Sequence, residues 1–272
     1  MKRYFIMLLL MSCSFAYAFD EGFIWALKAN FNGTATTPII GEEDLAKLGA
    51  AYMKGGVGYT MDGEAELGYL FGSERWFGMD PSKFSGMSVF GSIGVGSGGA
   101  YQVSGNTIKG VTATVYMNIS YAPVISFGVG TKAYFLNSRL ALGLHIGGKL
   151  IADLSPEYLY YSDDPTIFPP TIGEIIVTDF MIKNMNPFTF SVKFMLEYNQ
   201  PVNDRVEVIL GAYMRYNVFK PKYITMPEQL LGAAGEIGPD GVPQGFDPTT
   251  ALPSYYLNSV DFGLTIGLAF KG

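Results

Sequence analysis

The sequence predicts an all-β fold, a transmembrane antiparallel barrel of up-and-down topology. Eight strands are expected, with ten as the alternative count. Three observations carry this. Large apolar residues alternate with small or polar ones along most of the chain, the signature of strands with one oily and one wet face. The mean hydropathy is +0.22 and only 15% of residues are charged, against about 25% in ordinary soluble domains. Yet beyond the extreme N-terminus no apolar run reaches the ~18 residues of a membrane helix. Finally, long and short connections alternate along the chain.

The N-terminus, MKRYFIMLLLMSCSFAYAFD, has Lys2 and Arg3, an apolar run from Tyr4 to Met11 and the triplet Ala16, Tyr17, Ala18. It reads as a secretory signal over residues 1–18, cut after Ala18, followed by one barrel domain over 19–272. A rival reading makes Cys13 the lipidated residue of a lipoprotein signal, which Met11 and the short apolar run fit poorly. A chain cut after Ala18 has no cysteine, which suits an exported protein that needs no disulfide. Losing Lys2 and Arg3 takes the formal charge from -6 to -8. An acidic chain with no basic cluster argues against nucleic acid as a partner.

The strands follow in order. Phe23, Trp25, Leu27, Ala29 and Phe31 share one face, opposed by Lys28, Asn30 and Asn32. From Val57 to Phe71, the odd positions oppose Thr60, Asp62, Glu64 and Glu66. Met87 to Val103 keeps phase among many Gly and Ser. Val111 to Tyr121 alternates, Pro123 intervenes, and Ile125, Phe127 and Val129 continue in the same phase. That predicts one long strand with Pro123 at a bulge or unpaired point. Leu140 to Ile146, Phe188 to Tyr198, Val206 to Val218 and Val260 to Phe270 complete eight. Each is long enough to cross a bilayer at a tilt, which takes about 9–11 residues. The aromatics Trp25, Phe71, Trp76, Phe135, Tyr198, Tyr216, Phe219 and Phe270 flank the apolar stripes, as an interfacial girdle would.

Connections over 33–55, 152–187 and 219–257 are long, whereas LNS and NQPVND are short. If the chain starts in the periplasm, the longer links emerge on the cell surface and an even strand count returns both termini inside. Alternation alone does not say which face looks outward. A lipocalin-like soluble carrier would turn the oily face inward. The wet face here is rich in Gly, Ser and Thr, unlike a solvated surface, which favours the membrane.

The terminal FGLTIGLAF, with Phe262, Gly263, Leu264, Ile266, Leu268 and the near-terminal aromatic Phe270, is similar to the C-terminal insertion signal of bacterial outer-membrane proteins, although Lys271 and Gly272 follow. The chain resembles the small eight-stranded outer-membrane class, OmpA-barrel, OmpX and OmpW-like. The resemblance implies outer-membrane lipid and the barrel-assembly machinery as partners, and residence in the outer membrane of a double-membraned bacterium.

If the oily face meets lipid, the lumen receives Lys28, Asp62, Glu64, Glu66, Lys132, His145, Lys149, Lys193, Glu197, Glu207, Arg215 and Asp261. An eight-stranded barrel is just wide enough for side chains to fill, and buried charges need partners. A lumenal salt-bridge network is therefore expected, with Lys28 meeting the carboxylates on the next strand; a narrow polar conduit is the alternative. No G-x-S-x-G, H-E-x-x-H or P-loop is present, and His145 is the single histidine. No enzyme, catalytic residue, metal or cofactor is expected. In the long loops, Leu45, Leu48 and Tyr52 fall on one face of a predicted helix, and Leu230 and Leu231 follow Pro227 in a second. With Asp163 and Asp164 these are candidate mouth or loop contacts. The expected function is a passive route for small or hydrophobic solutes. The alternative is a structural or adhesive surface protein acting through its loops on host or neighbouring surfaces.

Overall fold

A computed structural model describes residues 21–47, 50–108, 111–152, 154–162, 188–219 and 256–271. The strands are β1 (Gly22–Ile39), β2 (Ala50–Lys54), β3 (Val57–Gly72), β4 (Phe84–Ile108), β5 (Val111–Phe135), β6 (Leu140–Ile151), β7 (Leu154–Ser162), β8 (Phe188–Pro201), β9 (Val206–Phe219) and β10 (Tyr256–Lys271). Two short helices are α1 (Glu42–Lys47) and α2 (Ser73–Phe77). No helix of the described residues is long and apolar enough to cross a membrane, which says nothing of strands.

Eight strands close into an antiparallel ring, β1-β3-β4-β5-β6-β8-β9-β10, the first and last pairing from Ile24↔Lys271 to Ile39↔Tyr256. The other two strands lie outside the ring: β2 pairs with the far half of β4, and β7 with the far half of β5. The barrel thus has the eight strands expected from sequence and not the alternative ten, since β2 and β7 take no part in closing the ring.

The orientation of the faces follows from burial. Leu27, Phe31, Leu67, Val89, Ile93, Val129, Leu142, Ile146, Phe194, Leu196, Leu210, Met214, Leu264 and Ile266 are all exposed, while Lys28, Glu64, Glu66, Lys132, Lys193, Glu197, Arg215 and Asp261 are buried. No Asp, Glu, Lys or Arg of the eight ring strands lies on the exposed face. This is the inverse of a soluble carrier. An outer surface that is apolar all the way round, over strands of membrane-spanning length, is that of a transmembrane barrel of the outer-membrane type.

Aromatic residues mark the end where the short turns lie. Trp25 stacks on Phe270 at 3.9 Å, and edge-to-face contacts link Phe23, Tyr69, Phe71 and Trp76, then Phe77, Phe84 and Phe135. The 136–138 turn has three positive-φ residues, among them Asn137, which tolerates that region. In the turn after α2, the Asp80 carboxylate accepts the Ser82 N–H at 2.9 Å, and that bond holds its pKa below the usual aspartate range.

Three sequence expectations need correction. First, β1 does not end near Asn32 but runs to Ile39. Thr34 and Thr36 continue its buried face; threonine has strand propensity but adds little to a hydrophobic stripe. Second, Tyr52 is not helical. α1 ends at Lys47, and Tyr52 sits in β2 opposite Gly105, because pairing with the long β4 outweighs a weak helical pattern. Third, β5 is one strand through Pro123, with Ala122 and Pro123 as the extra residues opposite Ser97, but the bulge reverses its faces. Ile125 lies opposite Val95, which is 58% exposed, whereas Ile119 lies opposite Ala100, which is buried at 7%. An unbroken phase in sequence therefore spans two different faces of the sheet.

Candidate functional site

Side chains of the described residues cross the lumen in successive tiers. Phe90, Met195 and Tyr213 pack inside with the charged groups. Glycine on the adjoining strand makes room for them. A Cβ at Gly130 would stand 2.5 Å from Phe90 Cζ, one at Gly128 2.6 Å from His145 Nε2, and one at Gly263 2.5 Å from Tyr213 Cζ. At these positions, in so narrow a barrel, a long lumenal side chain needs a bare neighbour.

The central tier is a closed quartet. Lys28 Nζ reaches Glu66 Oε1 at 2.6 Å and Glu197 Oε1 at 2.5 Å; Lys132 Nζ reaches Glu66 Oε2 at 2.6 Å and Glu197 Oε2 at 2.9 Å. The four come from β1, β3, β5 and β8; Lys28 and Glu66 sit on paired neighbours, and the other three contacts tie walls that share no backbone pairing. Every ammonium has two carboxylates and every carboxylate two ammoniums, which is what a buried charge requires.

Toward the long-loop end, Lys193 meets Glu64 at 2.7 Å across the full width of the barrel. Asn30 donates to Asp62 at 2.6 Å and Glu64 at 2.9 Å, and accepts from Thr265 at 2.6 Å. The Arg215 guanidinium is 3.6 Å from Asp62 and lies over the Tyr213 ring. Above this, Asp261 accepts from Lys149 at 3.2 Å, Asn217 at 2.8 Å and Thr34 at 3.0 Å, and Asn32 donates to the Tyr213 hydroxyl at 2.8 Å. Toward the short-turn end, Lys271 pairs with Glu207 at 2.6 Å.

His145 Nε2 and Ser92 Oγ are 2.9 Å apart, and the imidazole stacks over Phe90. Its Nδ1 is buried without a hydrogen-bond partner among the described residues, so no carboxylate orients the ring. Below the quartet lies a cavity of about 20 Å³ bordered by Glu66, Lys132, Tyr134, Glu197, Glu207 and Lys271, room for a water or two.

All twelve charged and histidine positions singled out from sequence thus line one interior. Phe262, Leu264, Ile266 and Leu268 face outward, Gly263 lies under Tyr213, and Phe270 stacks on Trp25. Leu45 is half-buried in α1. Leu48, Leu230, Leu231, Asp163, Asp164 and the leader expected over residues 1–18 lie outside the described residues. Sequence reasoning passed over Lys271, whose parity on β10 matches Asp261 and Thr265 and would have placed it inside. It also passed over Phe90, which breaks the alternation and left no signal.

No protein-family model matches the chain, and no curated protein does. Solved structures that resemble it include the outer-membrane protein OprG of Pseudomonas aeruginosa, at 8% identity over 93% of this chain and 97% of that one, TM-score 0.30. Ail, the attachment invasion locus protein of Yersinia pestis, is 9% identical over 92% and 99%, TM-score 0.31. The outer membrane protease OmpT of Escherichia coli is 9% identical over 94% and 99%, TM-score 0.34. At such distances the barrel's closure and outward-facing apolar wall rest on its own strand register and burial.

Proposed function

We propose that the protein is a surface-interaction barrel: an occluded outer-membrane anchor that carries a rigid sheet beyond the membrane toward a host or neighbouring surface. The observation that carries this is the length of the β4–β5 pairing. It continues for eleven pairs past the bulge, from Gly98↔Tyr121 to Ile108↔Val111, about 35 Å at ~3.3 Å per residue. β2 and β7 widen it to a four-stranded plate. The cross-lumen charge contacts support the other half of the reading, since they fill the path a solute would take and fix strand register. In this reading the leader is removed after Ala18 and the barrel-assembly machinery acts on the Phe262–Phe270 strand. In this reading the chain has no catalytic role, and His145 and Ser92 serve as packed groups of the lumen.

The test is a variant in which residues 101–118 are replaced by a two-residue turn. Expected is a folded, membrane-inserted barrel whose cells no longer adhere to epithelial monolayers. Undiminished adhesion would refute the reading.

A second reading, the passive route for small or hydrophobic solutes, draws on the reversed face of β5. Past the bulge the apolar odd positions from Val111 to Tyr121 pair in backbone register with the even positions of β4, among them buried Ala100. Planar-bilayer recording separates the two: discrete conductance steps in the wild type would favour the route and contradict an occluded lumen.

A further inference from the structure

We infer that α2 and the turn after it form an interfacial foot, lying flat on the phospholipid of the periplasmic leaflet and pinning the depth of the barrel. The five-residue helix leaves β3 at Gly72 and stops at Gly78, whose left-handed φ of 63° turns the chain back. It does not fold beneath the lumen. Trp76 packs edge-to-face on Phe71 at 5.2 Å, and Phe77 on Phe84 at 5.4 Å, and Phe84 in turn meets Phe135 on the outer face of β5. The foot is thus continuous with the wall that already meets lipid.

Its own apolar groups are open: Trp76, Phe77 and Met79 are exposed by 55%, 42% and 52%. Three large apolar side chains in one short turn would be a liability in water. In the layer between headgroups and acyl chains they are at home, tryptophan above all, with its apolar body and one N–H. That N–H is already satisfied, since Trp76 Nε1 donates to Glu21 Oε2 at 3.1 Å. Arg75 pairs with the same carboxylate and lies over the Trp76 ring. Glu21, just before β1, therefore clasps the foot against the first strand of the barrel. The occupant is the phospholipid leaflet because the patch extends an established lipid-facing surface and has no wall of its own to enclose a smaller ligand. Fixed depth at this end also fixes how far the outer plate stands above the opposite leaflet.

The chain has two tryptophans, so Trp25→Phe leaves Trp76 as the sole emitter. In phosphatidylcholine vesicles, Trp76 emission should be blue-shifted, quenched by lipids brominated near the glycerol end of the acyl chain, and severalfold less sensitive to acrylamide than in the urea-unfolded chain. Emission like that of the unfolded chain, with no quenching by brominated lipid, would overturn the inference. Because Trp25 stacks on Phe270, a second probe guards against misfolding: Met79→Cys carrying a nitroxide in the otherwise native, leader-free chain. Greater accessibility to oxygen than to a water-soluble nickel chelate supports the foot; the reverse order overturns it.

Discussion

Glu66→Gln is the sharpest test of the lumenal network, because it changes charge and almost nothing in shape. Glu66 gives one oxygen to Lys28 and the other to Lys132, each at 2.6 Å. The amide keeps one acceptor, but its NH2 then faces an ammonium, donor against donor. At an effective dielectric of 20, each contact at 2.6 Å represents about 6 kcal/mol of bare Coulomb attraction. Most of that offsets the desolvation of groups that stay buried either way. The net loss on removing one partner of such a pair is about 3–5 kcal/mol. Glu197→Gln should cost the same, since it occupies the matching position between the same two lysines. In the double variant Glu66→Gln, Lys132→Met the interior regains neutrality, with Lys28 and Glu197 as a remaining pair. Its cost should fall short of the sum of the singles by about 1–3 kcal/mol. Urea titration of the folded barrel in phospholipid vesicles, followed by tryptophan emission, gives all these values. A single-variant loss under about 1 kcal/mol, or strict additivity in the double, would refute a closed quartet.

Other variants probe the remaining layers. Leu264→Arg places a cation on the lipid face in the middle of β10, where the side chain is 67% exposed; a loss of about 2–4 kcal/mol is expected in the same titration. Gly130→Leu drives a side chain into the Phe90 ring and should cost about 1–3 kcal/mol, while Gly33→Ala, with open space around its Cβ, should stay within about 0.5 kcal/mol. The open face past the bulge is tested by single cysteines in a Cys13→Ser background: Tyr101→Cys, at an exposed position, should react with an impermeant maleimide on intact cells well ahead of Ala100→Cys, at a buried one.

What could be read in the sequence was whatever depends on parity. A strand buries one face against a uniform environment, so Leu264 and Asp261 declare opposite sides without any knowledge of their partners. Partner identity was legible only between neighbouring strands, as with Lys28 and Glu66. Glu197 and Lys132 come from strands that meet Lys28 and Glu66 only across the lumen, and no local pattern carries the curvature that brings them there. The reversal at Ala122–Pro123 was invisible for a different reason. Alternation records which residues are apolar, not which medium the apolar side faces, and one extra residue reverses the latter without touching the former. The helix expected through Tyr52 failed because five residues of backbone found an open edge on β4.

The bulge stands where the surroundings change. From Phe84, in the aromatic girdle, to Ser97, opposite the extra residues, β4 runs thirteen steps, about 44 Å at ~3.4 Å each. At a tilt of about 40° that is about 34 Å of height, close to the ~30 Å hydrocarbon layer plus a margin of headgroup. Below that level the medium outside the wall is lipid and the oily face must look out. Above it the medium is water, and an unshifted register would pair the apolar odd positions of β5 with the odd positions of β4, of which Tyr101 is exposed. Inserting one residue at the boundary pairs those positions instead with the even positions of β4, among them buried Ala100. On the membrane stretch of β5 the even position Lys132 is enclosed, whereas past the bulge the even position 118 pairs with Tyr101, which is exposed. Moving the extra residue two positions along β5, without changing composition, should therefore leave the barrel charges satisfied yet bury polar or expose apolar positions at the rim. The loss should appear as protease sensitivity of the plate while the barrel's urea midpoint holds.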